Sequence, residues 1–282
     1  MKKIVFSINL FVLFLLIGKI ATAQDVITVT ELSEKMKDKN TVVVACVKPE
    51  DYAKTHIKDA IHILHKDLYK TSGPEGILKP SADIAKLLGS KGLSNTNLIV
   101  LYDDGEGKYA GRMYWILKYL GCKDVKILDG HIKAWKSARK PVTATATVGK
   151  KVTFTATPNS ALLATMSDVQ AGNAVLVDAR SAAEFNGTDD SKLARKGHIP
   201  GAINFEFKQV LTDGKLKSKS ELEGLFKKAG MTKDKNIILY CETSVRAGII
   251  FFALSECGYT KVKVYDGAFN EWIATPANKV DK

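Results

Sequence analysis

Only four cysteines, Cys46, Cys122, Cys241 and Cys257, are spread through 282 residues, too few and too scattered for a disulfide framework. Cys241 and Cys257 are poor partners for each other. A helix of about 11 residues between them, rising ~1.5 Å per residue, would hold them beyond disulfide reach. Cys46, Cys122 and Cys257, flanked by apolar residues, read as core positions. An arginine-rich block is also missing: lysines stand singly or in pairs across both halves, without interleaved aromatics, so nucleic acid is not an expected partner.

The apolar run at the start, Ile4 to Ile17, has 14 residues and contains Ser7 and Asn9, short of the roughly 18 that favour a membrane span. Lys2-Lys3 precede it and Ala21-Thr22-Ala23 close it, the pattern of a signal peptide over residues 1–23. Gln24 then begins the mature chain, and no cysteine stands there to take a lipid. The expectation is a soluble exported protein, periplasmic or secreted, without stable membrane association after cleavage. Losing Lys2, Lys3 and Lys19 lowers the formal net charge from +12 to +9. That scattered excess is a solvated lysine-rich surface which also favours encounter with a small anionic substrate.

What the rest of the chain does contain is an internal repeat. Ser94-Asn-Thr-Asn-Leu-Ile-Val-Leu-Tyr102 is matched by Thr232-Lys-Asp-Lys-Asn-Ile-Ile-Leu-Tyr240. Gly121-Cys-Lys-Asp-Val-Lys-Ile-Leu-Asp-Gly130 is matched by Gly258-Tyr-Thr-Lys-Val-Lys-Val-Tyr-Asp-Gly267, with Trp135 and Trp272 at the same distance beyond. Thr55-His-Ile-Lys-Asp-Ala-Ile61 is matched by Gly197-His-Ile-Pro-Gly-Ala-Ile203. Several matches in one order indicate duplication. Each copy alternates strands (Val42 to Cys46; Val175 to Val177) with helices (Leu32 to Lys37; Ser167 to Ala171, and others), which predicts an α/β unit with a mainly parallel sheet flanked by helices. The expected domains are residues 24–141 and 161–282. Residues 142–160, alternating and proline-flanked, read as an extended linker.

The two copies differ where chemistry is expected. Ile237 to Tyr240 reads as a short buried strand, and the apolar residues after Arg246 recur at helical spacing. Cys241 stands between them. A thiol at the C-terminal end of a strand, ahead of a helix, faces converging backbone N–H groups and the positive end of the helix dipole. The first copy has Asp103 in that place, which cannot serve as a sulfur nucleophile, and Val44-Ala45-Cys46-Val47 where the second has Val177-Asp178-Ala179-Arg180. The first domain should therefore be a scaffold that closes one side of a cleft over Cys241.

Val177-Asp-Ala-Arg-Ser181, Gly197-His-Ile-Pro-Gly-Ala202, Cys241 to Arg246, and Tyr265-Asp-Gly267 with Trp272 together resemble the tandem-domain rhodanese family. The resemblance spans nearly all of the mature chain. It implies two rhodanese-type α/β domains, the first catalytically degenerate. It also implies transfer of sulfane sulfur through a persulfide on Cys241, from a small anionic donor (thiosulfate or 3-mercaptopyruvate) to cyanide or a thiol. Neither a metal nor an organic cofactor is required. In this reading the amides of the loop Glu242, Thr243, Ser244, Val245 and Arg246 cradle the sulfur. Arg246 binds the donor or closes the loop by a salt bridge, Arg180 offers a guanidinium to the donor or pairs with a carboxylate, and Arg195 is a weaker binding candidate. His198, Asp178 and Asp266 are read as structural. The loop departs from the family's thiosulfate and 3-mercaptopyruvate patterns: Glu242 disfavours a dianion, Arg246 offsets it, and the balance leans to thiosulfate.

Two other readings compete. A rhodanese-fold cysteine phosphatase or arsenate reductase places five residues between cysteine and arginine; here Glu242 to Val245 are four, which fits a sulfur-sized pocket better than a tetrahedral oxyanion. A non-catalytic persulfide carrier would share every residue of the loop.

Overall fold

The computed structural model describes residues 24–282, so the signal-peptide expectation for residues 1–23 lies outside the described residues. Each half contains one five-stranded, all-parallel sheet. In the first the spatial order is Val26–Ile27, Val125–Leu128, Leu98–Tyr102, Thr41–Ala45, Ile61–His62. In the second it is Leu163–Ala164, Val262–Tyr265, Ile237–Tyr240, Val175–Asp178, Ile203–Asn204. The orders correspond strand for strand, as duplication requires. Central strands are apolar on both faces because helices cover both, which is why Ile237–Tyr240 is a continuous buried run rather than an alternating one.

Helix starts follow local chemistry. Thr28, Thr165, Ser181 and Ser218 each form a capping box with the acidic residue three positions on. The Ser181 cap starts a one-turn helix, Ala182–Phe185, that periodicity is too short to show; Pro49–Lys54 is its counterpart in the first half. The two repeated histidines play one part: His56 stacks on Tyr52 and His198 on Phe185, at centroid distances of 3.7 and 3.6 Å, and each Nδ1 meets that residue's carbonyl.

The halves are joined through a shared core, with helix Lys108–Tyr119 of the first lying against helix Ala247–Glu256 of the second. Two glycines make this approach possible. A Cβ on Gly248 would stand 2.4 Å from the backbone N of Arg112, and one on Gly111 would stand 2.4 Å from that of Ile249. Ala247 to Leu254 are all buried, since the first domain covers the face that an ordinary surface helix leaves to water. The segment after Pro141 is pinned rather than free: Val142–Thr143 pairs antiparallel with His56–Ile57, Phe154 is buried, and Thr157 and Asn159 donate to Leu120 and Tyr119.

Candidate active site

Strand Ile237–Tyr240 ends at Cys241, and the loop Glu242 to Arg246 leads into helix Ala247–Glu256. Side-chain and backbone contacts from the final strand and helix fix this loop. Phe269 and Asn270 donate their amides to the carbonyls of Cys241 and Glu242. Ser244 sits at φ 57°, a left-handed conformation unusual for a non-glycine residue, and its Oγ donates to the Tyr265 carbonyl at 2.5 Å. None of the amides of Glu242 to Arg246 finds an acceptor among the described residues.

The twin loop shows what such amides do when an acceptor is present. Asp103 occupies the place of Cys241, and its carboxylate accepts from the amides of Gly105, Gly107, Tyr109 and Ala110 at 2.9–3.2 Å. His131 lies 3.2 Å from the same carboxylate. The first domain's loop amides are taken up by its own side chain, whereas the second domain has a cysteine in that place and loop amides without acceptors among the described residues.

Beside the loop that follows Cys241 opens a cleft of about 440 Å³ between the domains; Cys241 itself is 1% exposed and lies beneath the loop residues that line it. The Cys241 loop contributes Glu242, Thr243, Val245 and Arg246, and the first domain contributes His65, Tyr69 and Tyr109 among others. Gly76 brings the first domain onto the loop: at φ 109° it passes so close that a Cβ there would lie 2.8 Å from the Thr243 carbonyl oxygen. The first domain thus forms one wall of the cleft.

The three arginines fall in different places. Arg246 lines the cleft and donates to both Glu184 carboxylate oxygens at 2.6 and 2.7 Å. Burial disfavours its charge, but the Cys241 sulfur and Glu184 outweigh burial and hold the guanidinium protonated. Glu184 responds in kind: burial pulls its carboxyl up, and Arg246 with Ser181 brings it below the usual value. Arg180 is 1% exposed and lies outside the cleft lining. Its donors meet both Asp178 oxygens and the Gly197 carbonyl, and its plane covers the Phe269 ring at 4.1 Å. Of the two roles open to Arg180, the structure shows the pairing with a carboxylate. Arg195 is likewise away from the cleft, donating to the carbonyls of Thr275 and Asn278.

All four cysteines are free and buried. Burial pushes the Cys122 thiol up to about 12 and Cys257 up to about 11, and raises Cys46 well above its ordinary value with Asp103 adding to it. These three are held as inert thiols in the core.

Sequence reasoning missed Glu184, Arg112, His65 and Tyr69. Glu184 was visible as the acid of the Ser181 capping box. The others carry no local signal, because contact across the domain interface places them: Arg112 donates to Asp266 of the second domain at 2.6 Å, and Asp266 also accepts the Leu78 amide.

A rhodanese-like domain model matches residues 28–138 and again residues 162–275. A thiosulfate sulfurtransferase of Gallus gallus is 33% identical over 241 residues, covering 82% of this chain and 83% of its own. A 3-mercaptopyruvate sulfurtransferase of Escherichia coli is 30% identical over 232 residues, covering 80% and 83%. A solved Escherichia coli structure of a rhodanese-fold enzyme of the 3-mercaptopyruvate type superposes with a TM-score of 0.80 at 27% identity, covering 87% of this chain and 99% of that one.

Proposed function

The chain belongs to the rhodanese-like domain family, and from that premise we propose that it is a sulfurtransferase working through a persulfide on Cys241. In the loading step the Cys241 thiolate attacks the outer sulfur of thiosulfate. A new S–S bond forms to Cys241, the S–S bond of thiosulfate breaks, and its electron pair leaves on sulfite. With 3-mercaptopyruvate the C–S bond breaks instead, the thiol proton passes to the carbon, and pyruvate leaves. In the unloading step cyanide or a thiol attacks the outer sulfur and returns the thiolate, a double displacement. Neither step calls for a metal or an organic cofactor.

The observation that carries this reading is the contrast between the twin loops. Backbone amides in one grip the Asp103 carboxylate, and the corresponding amides around Cys241 are left without acceptors among the described residues. A terminal persulfide sulfur supplies the missing negative charge, stabilised by several short-range dipoles in a site shielded from water. The cleft supports a small anionic donor: it is lined by Lys66, Lys108, Lys208 and Arg246 against Glu75, Glu106 and Glu242. Lys66 pairs with Glu75, Lys108 with Glu106 and Arg246 with Glu184, while Lys208 has no carboxylate partner among the described residues. Thiosulfate is the favoured donor, and residues 1–23 are read as a leader that exports the enzyme to the periplasm or beyond.

Steady-state formation of thiocyanate from donor and cyanide tests the activity. Parallel double-reciprocal lines are expected. Stoichiometric sulfur uptake without turnover would favour a carrier, and rapid hydrolysis of an aryl phosphate without thiocyanate would favour a phosphatase.

A further inference from the structure

The cleft wall facing the Cys241 loop carries hydrogen-bonding groups to which the protein gives no partner. His65 is 2% exposed, and its Nδ1 is buried with no hydrogen-bond partner among the described residues. Packing fixes the ring instead: it stacks on Tyr109 at 4.8 Å and meets Tyr69 edge-on at 5.5 Å. Tyr69 is 5% exposed; its oxygen accepts from Arg112 Nε at 3.2 Å, and its own proton has no acceptor among the described residues. Arg112 is in turn held by the Gly76 carbonyl and Asp266, so the phenol it touches cannot swing away. His65 and Tyr69 both line the cleft, in company with Thr243, Val245 and Arg246.

We propose that His65 and Tyr69, supplied by the domain that lacks a nucleophile, bind the oxygen atoms of the donor's leaving portion and thereby select which sulfur donors load Cys241. This rests on the persulfide reading above. The chemistry of the wall is that of neutral hydrogen-bond donors. Burial, with Asp266 and Cys241 adding and Arg112 opposing, pushes the Tyr69 phenol up to about 12, so it keeps its proton. Burial first, then the Arg112, Lys66 and Lys108 cations, lowers His65 to about 3, so its imidazole is neutral and offers one N–H. As the thiosulfate S–S bond breaks, negative charge moves onto the sulfite oxygens, where an O–H and an N–H donor gain strength. Pyruvate presents keto and carboxylate oxygens to the same groups. An inorganic polysulfide has no oxygen, and its charge, spread over large sulfur atoms, gains less from them.

The test measures single-turnover persulfide loading of Cys241 by quenched mass spectrometry in wild type, Tyr69→Phe and His65→Phe. The donors are inorganic polysulfide and whichever of thiosulfate and 3-mercaptopyruvate loads wild type faster; unloading by cyanide is followed separately. Each variant should slow loading from the oxygen-bearing donor about 10-fold or more, the loss of one hydrogen bond to a charged group. Polysulfide loading and cyanide unloading should stay within about 2-fold of wild type on the same scale. Unchanged loading from the oxygen-bearing donor would overturn the proposal. So would equal losses with both donors, which mark a purely structural role for the wall. If wild type accepts sulfur from none of the donors, the Cys241 reading itself fails and the selection proposal falls with it.

Discussion

Replacing Gly248 by alanine sets two energies of opposite sign against each other. Gly248 lies in helix Ala247–Glu256, where alanine improves intrinsic helix propensity by ~1 kcal/mol. Propensity alone therefore predicts a more stable protein. The added Cβ, however, would stand 2.4 Å from the Arg112 nitrogen and 2.5 Å from the Gly111 carbonyl carbon, both main-chain atoms of the facing helix. Ordinary contact needs roughly 3.5 Å, so the helices must separate by about 1 Å. A gap of that size forfeits about a quarter to a half of each contact's dispersion energy, and overpacking costs ~1–3 kcal/mol on its own. The packing loss exceeds the propensity gain, and Gly248→Ala should lower the melting temperature by roughly 2–8 °C, the range expected for about 1–2 kcal/mol in a chain of this order. Gly111→Ala meets the Ile249 backbone at the same distance and should behave alike. The double variant should lose less than the sum, because one separation relieves both clashes. Differential scanning calorimetry of the three variants reads the outcome. A melting temperature equal to or above wild type for Gly248→Ala would refute the claim that glycine contact sets the helix approach.

Glu184→Gln should weaken both loop closure and acid sensitivity. Because Arg246 and Ser181 depress the folded Glu184 carboxyl below 4.5, its contribution is whole above that value and is lost as the pH falls through the lower folded value. The variant should be less stable at pH 7 by ~1–3 kcal/mol, with the pair about a fifth exposed. Its denaturation curves should also show a shallower fall below the ordinary carboxylate range; an unchanged slope there would assign the acid response to other groups. Ser244→Gly trades relief of a left-handed backbone against one lost hydrogen bond to Tyr265, terms of ~1 kcal/mol each. Stability should stay within about 1 kcal/mol with activity retained, while Ser244→Val, β-branched at positive φ, should lose both. N-terminal sequencing of the mature protein should begin at Gln24, and an intact Met1 would contradict export.

Much of this architecture is legible in the chain because it was written twice. Paired segments such as Leu98–Tyr102 and Ile237–Tyr240 occupy the same place in two sheets of one strand order, so each copy supports the reading of the other. The loop from Cys241 to Arg246 is legible for a related reason: strand, cysteine and helix are contiguous. The partners of the arginines are less so. Arg180 could serve a donor or a carboxylate by type, and the partner it pairs with, Asp178, lies only two residues away. His65 and Tyr69 show least of all. Their segment has no motif, and their place beside the Cys241 loop is visible only once both domains are folded against each other.

Intact-protein and peptide mass spectrometry after incubation with thiosulfate or 3-mercaptopyruvate tests the persulfide most directly. One added sulfur is expected, located on Cys241, released by cyanide as thiocyanate, and absent from Cys241→Ser. Sulfur located on Cys46, Cys122 or Cys257 instead, or none from either donor, would contradict the account.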